Sequence, residues 1–473
     1  MKIALTTSPG HGETVLNCNP KYVLKDFIRY PPLAILSIIR GIAPEHDIDI
    51  FDANELGYEE LLAAIVSARP DLLGISVVTE RLYGVLKLAR DVKRESPGTR
   101  IIIGGPHTDL YPDETMTHPE FDYMLLGPAE LTFPAFVHWL AGGRDGEPPV
   151  HNLRYRDASG AVRRTETSCV KSLEGFPLPD RKRIDIKKYV SVSDRSLMTT
   201  MSSSRGCPFR CMFCNVPRYY LQGTAERIVS EIEEILALGF DEIYILDDTF
   251  NISHQRVKEV CGMIIRRGLR FKWSTRARLN PFDDEMAALM KEAGCFRLAV
   301  GVESHDPKIL KEIGKGVSYE DILRGFEIIH KNRFETTAYF IIGFPGQTLE
   351  QAAQVWPFIK TIRPTFLLMN SLIALPFSNL YFDLIKRGVY EKDHWREFVL
   401  NPSFEYMLPS WRGERLDQEF MDLRDTIMRD FYLSPSFVLR EFARDVAHLD
   451  FGKLGRKVGM GVKMLRGTLG RSH

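Results

Sequence analysis

The chain has 473 residues, 44% hydrophobic and 26% charged, which is too many for one ordinary core and sets an expectation of two or three domains. Lys plus Arg and Asp plus Glu both number 62, so the net charge is zero. That argues against bulk electrostatic binding of nucleic acid, which needs a surplus of cations, while leaving a local basic patch open. The start, MKIALTTSPG, lacks the long apolar stretch of a signal peptide, and no run approaches the ~20 apolar residues of a membrane span, so the cytoplasm is the expected compartment.

From the N-terminus, strand and helix signals alternate. KIALTT is a short strand, PPLAILSIIRGIA has helical spacing, DIDIFDA alternates, YEELLAAIVSA is an amphipathic helix, and DLLGISVV is a buried strand. RLYGVLKLARDVKRE, RIIIGG, FDYMLLG and LTFPAFVHWLAGG continue as helix, strand, strand and helix. Alternation of this kind predicts an α/β fold with a Rossmann-like, doubly wound parallel sheet over 1–145. Ligands of such sheets sit outside the C-terminal strand ends, here 6–12, 76–80, 104–107 and 127–132. Residues 146–195 are rich in Gly, Pro and charge, contain a hairpin candidate, YRDASGAVRR, and read as a connector. Over 196–400 the alternation returns, with strand candidates SLMTTMSSS, EIYILDD, FKWSTRA, FRLAVGVES, TTAYFIIGFPG and FLLMNSLIAL. Six strand–helix units suit an open partial barrel better than an eightfold one. The stretch 401–473 reads as helical and ends in a Gly-, Lys- and Arg-rich tail.

Seven cysteines in a long chain without a secretion signal are no disulfide framework. Three of them, Cys207, Cys211 and Cys214, crowd into SRGCPFRCMFCNVP directly after a strand; Cys18, Cys169, Cys261 and Cys295 lie apart and suit core space. Thiolates are the ligands of Fe–S clusters, which normally take four, so three leave one iron open to a chelating amine and carboxylate such as those of S-adenosylmethionine (SAM). Gly206 and Pro208 suit the bent loop this requires. The competing reading is a structural zinc site, which needs a fourth ligand that no nearby Cys or His supplies.

The segment resembles the radical SAM superfamily, and nearly the whole chain resembles its cobalamin (B12)-binding class, in which a B12 domain precedes a partial (β/α)6 barrel. The resemblance is carried, in order, by YPPLAILSIIRG, PDLLGISVVTE, IIIGGPHT, DYMLLGPAELTFP, SRGCPFRCMFCN, EIYILDDTF, AGCFRLAVGVES and AYFIIGFPGQT. It implies a [4Fe–4S] cluster on the three cysteines, SAM and cobalamin. It places Phe213 beside adenine, Asp247 and Asp248 near the methionine amine, Arg278 at the carboxylate, Glu303 on the ribose and Gly343 where backbone approaches adenine. Each has a plainer alternative. Asp247 and Asp248 are also helix-cap candidates, with Asn251 or Ser253 equally able to cap. Arg276 or Arg278 can form a barrel ion pair, and the family's acid two positions after Arg278 is Asn280 here. A buried Glu303 without ribose needs a Lys or Arg nearby. Gly343 and Gly346 can simply make a turn.

For cobalamin, the resemblance points to Ser76, Thr79, Gly104, Gly105, His107, Gly127, Glu130 and Thr132. The D-x-H-x-x-G motif that supplies a cobalt ligand is absent, and neither His11 nor His107 has that context, so a lower face without His is implied. The alternative is a Rossmann-like domain that has lost cobalamin. No G-x-G-x-x-G follows the first strand, which disfavours NAD.

The two cofactors together suggest C-methylation of an unactivated carbon, with the methyl group carried on cobalt and SAM serving both as methyl source and radical source. The rivals are a radical cyclisation or rearrangement, as in the anaerobic ring-forming cyclase of chlorophyll synthesis, and a sensor without turnover. The expected partners are a small-molecule substrate, lipid or tetrapyrrole among the candidates, and an electron donor such as flavodoxin or ferredoxin. LPFSNLY (375–381) resembles a turn that shapes the pocket floor, and the aromatics between 395 and 411 suit an apolar site or a core. Eight Lys and Arg between 440 and 473, interleaved with Val, Met and Leu, suit peripheral contact with an anionic membrane. The glycines of that tail argue for a packed or disordered segment instead.

Overall fold

The computed structural model describes residues 1–10, 30–143, 146–191, 196–411 and 418–447, with side chains to 443 in the last helix. The basic tail, and His11 and Cys18 with it, lie outside the described residues. Two parallel sheets organise the chain.

The first sheet has seven strands: β1 (Lys2–Thr7), β2 (Asp47–Phe51), β3 (Leu72–Ser76), β4 (Arg100–Gly104), β5 (Tyr123–Leu125), β6 (Leu153–Arg156) and β7 (Val162–Arg164). Their order is β2-β1-β3-β4-β5-β6-β7. The first five run parallel, as the alternation predicts. β6 and β7 pair antiparallel on the β5 edge, so the connector's hairpin extends this sheet rather than standing free. Leu73, Ile75, Ile101 and Ile103 bury one face under the helices Tyr58–Ala68 and Leu82–Glu95. Ile3, Leu5, Leu72 and Ile102 bury the other under Leu33–Ile39 and Thr132–Ala141. Period-2 side-chain alternation is what lets one apolar strand feed two cores.

The second sheet is built on β8 (Met198–Met201), followed by a short antiparallel pair, β9 (Ser204–Arg205) and β10 (Leu221–Gln222). Then come β11 (Glu242–Ile245), β12 (Lys272–Ala277), β13 (Cys295–Glu303), β14 (Glu335–Ile342) and β15 (Phe366–Ser371). The order β15-β14-β13-β12-β11-β8 is strictly sequential and parallel, the open six-stranded partial barrel expected from six units. Ser253 caps the helix His254–Arg266 by accepting from Arg256 N.

Residues 374–408 pack where the sequence does not announce. Leu380, Tyr381, Leu384, Tyr390, Trp395, Phe398 and Val399 are buried against the first sheet's core, beside Val85 and Leu88. Thus most of the aromatics between 395 and 411 are core, and only Phe404 stands exposed. The helix Gln418–Tyr432 returns to the barrel, burying Phe420, Ile427, Met428 and Phe431. No described helix is long and apolar enough to cross a membrane.

Candidate functional site

The cysteine loop begins where β8 leaves the ladder. The sequence reads 196–204 as one strand, but the ladder stops at Met201 because the buried Asp247 carboxylate captures the next residues. Asp247 Oδ1 accepts from Ser203 N at 2.8 Å and Ser204 N at 2.9 Å. Its Oδ2 accepts from Ser203 Oγ at 2.5 Å and lies 3.3 Å from the Arg256 guanidinium. Arg256 also donates to Ser203 Oγ and Ser203 O. Asp247 is fully buried, and both its oxygens are engaged. The structure therefore places Asp247 under the loop as a scaffold, not facing a ligand amine.

Gly206 then turns the chain with φ +76°, and a Cβ there would stand 1.9 Å from Tyr219 O, so only glycine fits. Cys207 N donates to Pro217 O at 3.0 Å and Cys214 N to Cys211 O at 3.2 Å. The Arg218 guanidinium gathers the carbonyls of Phe209, Cys211 and Cys214. Met212, between the second and third cysteines, is held on both sides: its N–H donates to Ile313 O at 2.9 Å and its carbonyl accepts from Leu380 N at 2.8 Å. Leu380 belongs to LPFSNLY, whose Ser378 caps the helix Asn379–Lys386. That turn thus buttresses the cysteine loop.

The three thiols are free and half-buried. Burial, with Cys211 and Cys207 nearby, pushes the Cys214 thiol up; a bound cation reverses that preference and makes thiolates of all three. Val216 N reaches the Cys214 sulfur at 3.5 Å. Among the described residues no three His, Cys, Asp or Glu side chains converge on one point as the ligands of a single ion would. Three half-buried thiols on one bent loop, with the carbonyls of Phe209, Cys211, Met212 and Cys214 engaged, are a donor set that would fit an iron–sulfur cluster held by thiolates.

Around the loop, Arg278 is buried and its guanidinium lies 3.6 Å above the Phe209 ring. It donates to Lys315 O, and burial lowers its pKa while Cys211 opposes that shift. Arg278 therefore braces the cysteine loop. Arg276, two residues earlier in β12, pairs with Asp248 at 3.0 Å. Burial raises the Asp248 carboxyl while Arg276 pulls it back. Glu303 ends β13 with φ +65°, and Lys315 Nζ lies 2.5 Å from its Oε1 and 2.6 Å from Gly301 O. The cation that a buried Glu303 requires is thus Lys315. Phe213 meets Phe344 edge-on at 6.4 Å. Both backbone polar groups of Gly343 are engaged, its N–H by Gln347 Oε1 at 2.8 Å and its carbonyl by Trp411 Nε1 at 2.5 Å.

A cavity of about 400 Å³ opens beside this loop, between the C-terminal ends of the first sheet's strands and the barrel. Ser76, Gly104, Gly105, Gly127 and Glu130 line it, together with Phe176 of the connector and Ser202, Arg205 and Leu246 of the barrel. A Cβ on Gly105 (φ +99°) would press on the Val77 backbone at 2.9 Å. Three expected residues stand off the cavity. His107 is fully buried, its Nδ1 3.0 Å from Thr79 Oγ1 and its Nε2 2.9 Å from Thr115 Oγ1. Burial pushes its pKa down to about 3. This histidine and Thr79 therefore form an internal brace in place of a ligand contact. Thr132 opens the helix Thr132–Ala141 with a buried hydroxyl.

Sequence reasoning missed Arg205, Arg218, Arg256, Lys315, Gln347 and Trp411. Arg205 adjoins the cysteine motif and Lys315 sits in a Gly-Lys-Gly triplet, but neither pattern states a partner. Those partners come from distant segments.

Residues 27–137 match the B12 binding domain and residues 201–355 the radical SAM superfamily, in that order. The chain is 27% identical over 420 residues to an uncharacterized methyltransferase, PH0819, of Pyrococcus horikoshii, covering 87% of this chain and 90% of that one. It is 23% identical to the anaerobic magnesium-protoporphyrin IX monomethyl ester cyclase of Rubrivivax gelatinosus, covering 84% and 73%. In fold it is similar to the radical SAM methyltransferase TsrM of Kitasatospora setae, solved with cobalamin and a [4Fe–4S] cluster, with a TM-score of 0.62 at 18% identity over 82% and 75% of the two chains.

Proposed function

The chain belongs to the cobalamin-binding radical SAM enzymes, and from that premise we propose that it methylates an unactivated carbon of a small molecule. When bound, the cluster and SAM supply a 5′-deoxyadenosyl radical that removes a substrate hydrogen, and cobalamin carries the methyl group. Cys207, Cys211 and Cys214 hold the cluster. Asp248, Glu303 and Phe213 are the groups left to meet SAM: Lys315 pairs with Glu303 Oε1, leaving the other oxygen to accept from ribose, and Phe213 offers a ring to adenine. Arg278 and Asp247 hold the loop in place. Ser76, Gly104, Gly105, Gly127 and Glu130 hold cobalamin against the barrel.

The observation that carries the reading is the adjacency of the two sites. The cavity at the strand ends is walled on its far side by Ser202 and Arg205, the residues that lead into the cysteine loop. A methyl donor and a hydrogen-abstracting radical must reach the same carbon, and proximity is what such a site supplies. In this reading residues 1–145 serve cobalamin, 146–195 connect, 196–400 form the radical barrel, and 401–473 are a C-terminal region of which the helix Gln418–Tyr432 packs on the barrel. The helices before residue 400 are shared with the first core. The electron donor is a flavodoxin or ferredoxin, and the protein works in the cytoplasm.

The cyclase relative favours a second reading, ring formation on a tetrapyrrole without methyl transfer. Anaerobic reconstitution with cobalamin and methyl-labelled SAM, against tetrapyrrole and lipid panels, separates them. Label in the product supports methylation. Deoxyadenosine with an unlabelled, dehydrogenated product supports cyclisation. Cofactor binding with neither product would reject both.

A further inference from the structure

The domain junction contains an ion pair that neither site needs for its own assembly. Arg205 Nη2 binds Glu130 Oε1 across 75 residues of chain. Glu130 leaves the first sheet between β5 and the helix Thr132–Ala141, while Arg205 occupies β9, two residues before Cys207. The Phe176 ring lies 5.2 Å from the Arg205 guanidinium and adds a wall from the connector. Glu130 is 4% exposed, yet its Oε2 has no hydrogen-bond partner among the described residues. A buried carboxylate oxygen left bare loses its hydration without replacement, so it demands a donor. That side chain lines the 400 Å³ cavity. The other charged groups of the cavity wall are already occupied: Arg227 donates to Phe176 O at 2.7 Å, and Glu231 is bound by Arg181 at 2.7 Å.

We propose that Glu130 and Arg205 form a latch in which Glu130 Oε2 accepts an amide N–H from the rim of the bound corrinoid while Oε1 holds Arg205, so that corrinoid occupancy fixes the entrance of the cluster loop. This rests on the cobalamin reading above. A corrinoid carries primary amides around its ring, so its chemistry matches a lone carboxylate oxygen at the cavity wall. Arg205 has little freedom to move without the loop. Its strand pairs with Leu221 and Gln222, and the next residue, Gly206, is wedged against Tyr219 O. Arg205 is thus a positioning residue. By linkage the effect is reciprocal: whatever cluster loading adds to corrinoid affinity, the corrinoid adds to cluster retention.

The test uses the full-length chain, anaerobically cluster-loaded or stripped with a chelator, titrated with aquacobalamin by absorbance. The wild type is expected to bind about tenfold more tightly when loaded, within the usual range of such couplings. In Arg205→Gln the altered cavity wall acts on both states alike, and the ratio of loaded to stripped falls to about one. Arg205→Lys, which keeps the cation, restores part of the ratio. Glu130→Gln lowers affinity in both states and also abolishes the ratio; lying outside the loop, it serves if Arg205→Gln loads iron poorly. A wild-type ratio of one, or a ratio that survives both neutral substitutions, overturns the latch while leaving the cobalamin site standing. No binding by either wild-type form overturns the cobalamin reading itself.

Discussion

The cysteine loop and the strand-end cavity are built on opposite plans. The loop is one short run of chain whose backbone is tied largely within itself, Cys207 to Pro217, Cys214 to Cys211 and Arg218 to three carbonyls, with Met212 reaching out to Ile313 and Leu380. The cavity gathers residues from Leu5 to Leu246 across both sheets and the connector. A local site carries much of its shape in its own run of chain. A site made of distant walls depends on how those walls are held, which is where buried carboxylates such as Asp247 and Glu130 enter.

The largest expected effect separates the two. Cys211→Ala abolishes iron and sulfide loading and deoxyadenosine formation, while aquacobalamin still binds, weaker by no more than about tenfold, the scale of ordinary coupling. Full deoxyadenosine production by that variant would remove the cluster assignment. Asp247→Asn breaks a fully buried pair with Arg256 and puts an NH2 donor where Oδ2 accepted from Ser203 Oγ, so unfolding free energy should fall by about 3–5 kcal/mol. An unchanged urea midpoint with weakened SAM binding would instead return Asp247 to the ligand. Gly206→Ala forces a β-carbon onto Tyr219 O in a left-handed turn. A loss of about 1–3 kcal/mol confined to the loop is expected, read as reduced iron content with aquacobalamin affinity retained. Equal loss at both sites would show that the loop and cavity are not separable.

The smallest effect lies on the cavity side and is pH-dependent. His107 titrates near 3 when folded, against about 6.5 when unfolded. Its folded value is depressed, so between those two values the unfolded chain holds the extra proton. Its contribution is complete above about pH 6.5 and is lost as pH falls toward 3. Going from pH 7 to 5 should reduce stability by about 2 kcal/mol through this group alone. Urea unfolding at both pH values checks this: His107→Gln, which keeps hydrogen-bonding capacity without a titrating proton, should flatten that difference. A slope identical to the wild type would show that His107 does not sit neutral in the fold.

Both sheets, the order of the two domains and the crowding of three cysteines into one loop were legible in the sequence. Strand periodicity and the C-x-x-x-C-x-x-C spacing are local properties that survive in a linear string. Most residue roles were less legible. Asp247 reads as well for a ligand as for a scaffold, because the string does not show that Ser203 and Arg256 consume its oxygens. His107 reads as a cofactor contact until Thr79 and Thr115 are seen on its two nitrogens. Arg278 looks like a carboxylate fork until Phe209 and Lys315 surround it.

By itself, then, the amino-acid order determined which chemistry this protein carries, since iron ligation by a short loop needs only neighbouring thiols and a glycine that can turn. The tertiary structure alone decided which charged groups are spent on the scaffold and which remain for ligands. A carboxylate's availability depends on what donors the fold brings to its two oxygens, and those donors come from other elements, 9 residues away for Arg256 on Asp247 and 75 for Arg205 on Glu130.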